Sequence, residues 1–257
     1  MEIQLSNRVA IVTGASRGIG RAIALELAKE HMRVVLVSRS GDLLNEVATA
    51  IGGDCLVHVA DLRKTGAAAE VIAAAIQRFG SIDVLVNNAG ATKRGDFLEL
   101  SDTDWDDGFA LKFFGAMRLC RMAWPHLVVR QGTIINIIGV GGRTGSADFT
   151  IGGSVNSALL NLTKALAHRG LTDGVRVNAV NPGAIATERL QRRIKAVAAA
   201  HGLDYEAAAK MMVQELGVAR FGTPEEIARA VVFLASAAAS YCQGTIIDVD
   251  GGETRTL

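Results

Sequence analysis

Seven short runs of apolar, mostly β-branched residues punctuate this chain, and none alternates with polar residues as a half-wet strand does. They are VAIVT (9–13), VVLVS (34–38), LVHVA (56–60), IDVLVNN (82–88), TIINII (133–138), VRVNAV (175–180) and TIIDVD (245–250). Strands of this kind are buried on both faces, so helices must cover the sheet above and below. Windows at 18–30, 66–79, 102–129, 155–169 and 224–239 read as those helices. Strand, helix, strand, repeated, implies right-handed crossovers. The expected fold class is α/β, a doubly wound parallel sheet of about seven strands.

A length of 257 residues fits one domain, 1–257, with no linker or internal repeat. The alternation is broken once, between 187 and 223, where ERLQRRIKAVAAA and YEAAAKMMVQEL form helical segments. This insertion follows the sixth strand, near the strand ends where such sheets bind ligands, and reads as lid-like. Apolar residues reach 49% while aromatics are only 5%, which suggests surface hidden by self-association. A formal charge of +1 gives no reason to expect nucleic acid or an anionic membrane as partner. Three scattered cysteines and five histidines show no metal-ligand spacing, so no metal is expected. No apolar run is long enough for a signal core or a membrane span, and a cytoplasmic location is the expectation.

TGASRGIG (13–20) follows the first strand and opens the first helix. Gly14 permits a tight turn, Gly18 close approach of a pyrophosphate, and Gly20 close packing of the helix, whose N-terminus favours anions. The second strand ends in Ser38 and Arg39 with no carboxylate before Asp42, and Arg17 adds a second guanidinium. Two forks and small hydroxyls suit a 2′-phosphate, which favours NADP(H) over NAD(H).

With TGASRGIG, VNNAG (86–90), NPGAIAT (181–187) and a closing RFGTPEEIA…GTIIDVDGG (220–252), the chain resembles the short-chain dehydrogenase/reductase family over essentially its whole length. That resemblance implies a Rossmann-type fold, hydride transfer involving a nicotinamide and a small-molecule substrate, and assembly as a homodimer or homotetramer through the helices around 102–129 and 155–169. By position, Gly14, Ser16, Arg17, Gly18, Ile19 and Gly20 match the family's phosphate turn. Asp61 and Leu62 match its adenine contacts, and Asn88, Ala89 and Gly90 its ribose segment. Pro182, Gly183, Ile185 and Thr187 match the turn at the nicotinamide.

The family's proton-handling residues are not matched. Aligned on ALLNLTKALA (158–167), the serine position holds Gly139, the tyrosine position Gly152 and the lysine position Asn156, itself expected beside the cofactor. The asparagine position is read as Ala110, from FALKFFGA (109–116). Neither Tyr205 nor Tyr241 is followed four residues later by lysine, so no shift of register restores the motif. Two explanations of the adjacent glycines 152 and 153 stand together: a helix beginning later, with Ser154 as its cap, and a hollow beside the nicotinamide. Without a proton donor, ordinary ketone reduction is disfavoured. Three readings remain: an oxidoreductase acting on imine, activated alkene or carbonyl, with Asp148, Thr150, Ser154 or Tyr205 as other proton sources; an inactive NADP-binding sensor or partner subunit; and a non-redox lyase or isomerase.

Overall fold

The computed structural model describes residues 3–255. Strands β1 (Val9–Thr13), β2 (Arg33–Ser38), β3 (Cys55–Val59), β4 (Val84–Asn87), β5 (Thr133–Ile137), β6 (Arg176–Pro182) and β7 (Ile246–Val249) form one parallel sheet. Its order is β3-β2-β1-β4-β5-β6-β7, so the winding reverses between β1 and β4. That switch point opens a crevice at the strand carboxyl ends.

The helices are α1 (Gly18–Lys29), α2 (Gly41–Ile51), α3 (Ala67–Phe79), α4 (Asp102–Phe109), α5 (Gly115–Arg130), α6 (Thr150–Asp173), α7 (Glu188–His201), α8 (Tyr205–Leu216) and α9 (Pro224–Ala235). Successive strand residues face opposite sides, as the period of two requires. Ala10 and Val12 pack with Ile23 of α1 and Val231 of α9. Val9 and Ile11 pack with Val71 of α3 and Leu119 of α5. Among the described residues no helix is long and apolar enough to cross a membrane.

Two local departures matter for the site. The window 102–129 is not one regular helix: a π-turn, Ala110–Phe114, joins α4 to α5 and widens one turn. Helix α6 begins at Thr150, after Phe149, rather than behind a Ser154 cap, so Gly152 and Gly153 lie inside its first turn. The inserted segment folds as α7 and α8, with Leu190 and Ile194 packed on Ala208 and Met212.

The opposite end of the sheet is pinned by Asp83, 1% exposed, which accepts from the Val9 N–H (2.9 Å) and from Arg130 Nε (2.9 Å). Asp83→Ala strands a buried N–H and unpairs Arg130, at a cost of about 3 kcal/mol. The expected result in a thermal melt is a midpoint about 6–12 °C lower.

Candidate active site

The crevice is built around the turn after β1. Gly14 and Gly18 adopt φ of +65° and +54°, open to glycine and strained for other residues. Thr13 Oγ1 accepts from the N–H groups of Asn88 (2.9 Å) and Ala89 (3.0 Å), while Asn88 Nδ2 donates to Thr13 O (2.9 Å) and Gly14 O (3.4 Å). These bonds tie the β1 turn to the end of β4 across the switch point. No side chain caps α1, whose leading N–H groups are left for an anion. A Cβ on Gly20 would stand 2.2 Å from Gly14 O, so the helix approaches its own turn as closely as a dinucleotide cradle needs. The residues present therefore fit a dinucleotide.

The ribose-phosphate end lies beside this turn. Ser38 closes β2 and its hydroxyl accepts from the Ser40 N–H (3.1 Å). Arg39 is exposed; Arg17, also exposed, pairs with Glu188 of α7 at 3.3 Å. Asp61 is engaged by Arg63, which also binds Asp107, and Leu62 is buried against Gly115. Asp107 is held below the usual carboxylate range by its bond from Arg63.

At the other end, β6 runs into Pro182 and Gly183, whose missing Cβ lets Asp250 and Glu253 pack at 2.7–2.8 Å from where it would be. Glu253 accepts from the Ala184 N–H (3.1 Å), Ile185 is buried, and Thr187 lies against Gly18. Arg189 of α7 donates to Gly90 O at 2.6 Å, so this helix crosses from the phosphate turn to the end of β4.

The centre differs from the sequence expectation in three respects. Position 152 is not a hollow: a Cβ there would fall 2.0 Å from the Phe149 ring, which fills the space and lies under Arg94, 3.9 Å from its centroid. The side chain sent inward by the long helix is Lys112, rather than Ala110. The π-turn aims it past Gly90, where a Cβ would touch its stem at 2.9 Å, and its Nζ donates to Ile138 O (2.5 Å) and Asn156 Oδ1 (2.6 Å). Burial, then the charge of Arg189, pull its pKa down to about 7. Finally, Asn156, expected at the cofactor, is 2% exposed and engaged by Lys112 and by Gly139 O (3.4 Å). Lys112 is the part-open member of the pair. Its signal in the sequence was a lone lysine in the apolar run FALKFF, and the π-turn that aims it inward has no mark in a regular helical pattern.

Gly139 has φ +127°, and its N–H donates to Asn181 Oδ1 (3.2 Å), itself tied to Asp248. A serine there would be strained in this backbone. The other proton sources fare unevenly. Burial acts upward on Asp148, but bonds from Ser146 and Arg94 outweigh it and hold the carboxyl below its usual range, hence ionised at neutral pH. Thr150 Oγ1 is buried and without a hydrogen-bond partner, Ser154 is exposed, and Tyr205 is exposed at the start of α8. A depression of about 410 Å3, lined by residues including Arg143, Phe149, Thr150 and Ser154, adjoins the centre. Among the described residues no group of three or more His, Cys, Asp or Glu is placed to hold a metal.

A family model described as enoyl-(acyl carrier protein) reductase matches residues 14–254. A 3-oxoacyl-(acyl-carrier-protein) reductase of Thermotoga maritima is 31% identical, over 97% of this chain and 99% of its own. One of Synechocystis is 35% identical, over 96% and 97%. Among solved structures, L-sorbose reductase from Gluconobacter frateurii complexed with NADPH and L-sorbose superposes with a TM-score of 0.96 at 33% identity, covering 100% of both chains.

Proposed function

The chain belongs to the short-chain dehydrogenase/reductase family, and from that premise we propose that it is an NADP(H)-dependent reductase of small carbonyl compounds with a non-standard catalytic centre. The observation that carries this is the stitched turn of Thr13, Gly14, Gly20 and Asn88 at the switch point, with Gly18 set against Thr187. When bound, the nicotinamide supplies the hydride. Gly14, Ser16, Gly18, Ile19 and Gly20 hold the pyrophosphate, Asp61 and Leu62 the adenine, and Asn88, Ala89 and Gly90 the ribose. Pro182, Gly183, Ile185 and Thr187 orient the carboxamide, and α7 and α8 act as a lid.

Arg17, Ser38 and Arg39 take the 2′-phosphate, in keeping with the NADPH of the sorbose reductase complex. Arg39→Gln is expected to weaken NADPH about tenfold or more and to leave NADH unchanged, since a hydrogen bond to a charged group contributes about 1.5–3 kcal/mol. Fluorescence titration with both dinucleotides reads it; equal losses for the two would contradict the assignment.

Carbonyl is preferred to iminium because the centre is cationic. Lys112 lies against Asn156 with the charge of Arg189 acting on it, and Arg94 acts in turn on Arg189 and Arg193. Burial, then repulsion from Arg192, Arg17 and Arg94 for Arg189 and from Arg94 for Arg193, lowers both below the usual guanidinium value, which a substrate bearing a carboxylate or phosphate would relieve. The test is NADPH oxidation with ethyl acetoacetate, acetoacetyl-coenzyme A, L-sorbose and 2-methyl-1-pyrroline. Turnover of a carbonyl probe is expected; tight NADPH binding with no turnover on any probe supports instead an inactive NADP-binding protein, a reading that the Phe149 ring at position 152 also favours. Exposed Met122 and Val129 on α5 and Leu171 on α6 support assembly into a dimer or tetramer through these helices.

A further inference from the structure

We infer that Lys112 is the catalytic acid of this site, its Nζ giving the proton to the oxygen of the reduced substrate in place of a tyrosine. The inference rests on the carbonyl-reductase reading above. An ammonium carries three N–H donors and a neutral amine two. Lys112 Nζ has two fixed acceptors, Ile138 O at 2.5 Å and Asn156 Oδ1 at 2.6 Å. Both acceptors stay satisfied in either protonation state, and the third proton is the one free to leave. Asn156 is held in turn by its bond to Gly139 O, which fixes the orientation of its carbonyl oxygen towards the lysine.

The route of the side chain says the same. A lysine stem passes the end of β4 only because Gly90 has no Cβ; one there would lie 2.9–3.3 Å from three of its carbons. The π-turn at Ala110–Phe114 supplies the rotation that points it inward. The amine arrives beside Gly139 and Gly90, between the ends of β4 and β5, where the cofactor groove meets the centre. It replaces a residue on α6 with one on the π-turn that joins α4 to α5.

With a reduced nicotinamide bound as hydride donor, the carbonyl carbon would gain the hydride, the C=O π pair would move onto oxygen, and oxygen would form its new O–H bond with a proton from Lys112. The N–H bond breaks with its pair left on nitrogen, giving the neutral amine, and water restores the proton. Such an acid works best when its pKa lies near the working pH, and burial with the facing Arg189 of α7 brings Lys112 to about 7. The other elements packed on it contribute Gly90, the Ile138 carbonyl and Asn156, all uncharged. As pH rises through 7 the ammonium is lost, so reduction slows and the reverse oxidation quickens.

The test uses the full-length protein with lysines labelled by 13C at Cε, the Lys112 signal being identified by its loss in Lys112→Met. A titration midpoint near 7 without cofactor is expected; a midpoint near 10 overturns the inference. With ethyl acetoacetate at saturating NADPH, kcat in Lys112→Met and Lys112→Arg is expected to fall about a hundredfold or more, while NADPH affinity by fluorescence changes less than threefold. Arginine keeps the charge and releases no proton. A Lys112→Met enzyme with wild-type kcat and pH profile overturns the acid role alone. A tenfold weaker NADPH with unchanged kcat does the same, and makes Lys112 a cofactor-holding residue. A wild-type protein that binds NADPH but reduces no probe overturns the reductase reading, and the acid role with it.

Discussion

Gly20→Ala is expected to raise the dissociation constant for NADPH at least about a hundredfold, which corresponds to ~2.7 kcal/mol of binding. The new Cβ would meet Gly14 O at 2.2 Å and Asn88 Nδ2 at 2.4 Å. The first of these is backbone, and Asn88 already bonds Thr13 O and Gly14 O, so neither can yield without opening the turn. Moving α1 away drags its leading N–H groups off the phosphate position and disturbs the α1–α9 packing around Ile23 and Val231. Overpacking of this kind costs about 1–3 kcal/mol, a fall in melting temperature of about 2–12 °C. Gly53→Ala is the control, because a Cβ there meets nothing nearer than 3.7 Å. Fluorescence titration and a thermal melt on the three proteins give the answer; binding by Gly20→Ala within threefold of wild type would remove the turn from the cofactor site.

The double variant Gly152→Tyr, Asn156→Lys is expected to unfold at much lower temperature than the wild type and to show no more ketone reductase activity than it. A side chain at 152 overlaps the Phe149 ring from its first carbon, at 2.0–2.1 Å from two ring atoms. Expelling the ring also breaks its stacking with Arg94, worth about 0.5–2 kcal/mol. A lysine at 156 sets a second ammonium against Lys112 Nζ, which now lies 2.6 Å from the Asn156 oxygen. Two such charges about 4 Å apart repel by about 4 kcal/mol at an effective dielectric of 20. Compensation should be specific: Phe149→Ala is expected to recover stability in Gly152→Tyr, and Lys112→Asn in Asn156→Lys, with coupling of about 1–3 kcal/mol in each cycle. A Gly152→Tyr protein melting within 2 °C of wild type would show that Phe149 does not occupy the position.

Lys112 also carries a stability signature. Its folded pKa is depressed from 10.5 to about 7, so between those values the unfolded chain binds the extra proton. Stability from this group therefore rises with pH from about 7 to 10.5 and is lowest below 7. The same slope is expected to vanish in Lys112→Met, which chemical denaturation at a series of pH values measures.

What the sequence determined by itself is everything governed by local pattern. Buried strands need unbroken apolar runs, and each of the seven runs became a strand with ends shifted by no more than two residues. Left-handed turns favour glycine, and the tight turn read at Gly14 is left-handed, as is Gly18, read for close approach to a pyrophosphate. The occupants of positions 139, 152 and 156 were legible for the same reason, being fixed by register along one chain segment. What only the tertiary structure decided is what stands in the space those residues leave. Phe149 lies under an arginine from the β4–α4 connection, and Lys112 reaches Asn156 from a helix 44 residues away in sequence. A π-turn displaces the helical face on which 3.6-residue periodicity relies, and side-chain packing across elements has no periodicity at all. Hence positions whose composition reads as emptied are, once folded, filled: 152 by Phe149 at the start of the same helix, and the neighbourhood of 156 by Lys112 from a distant one.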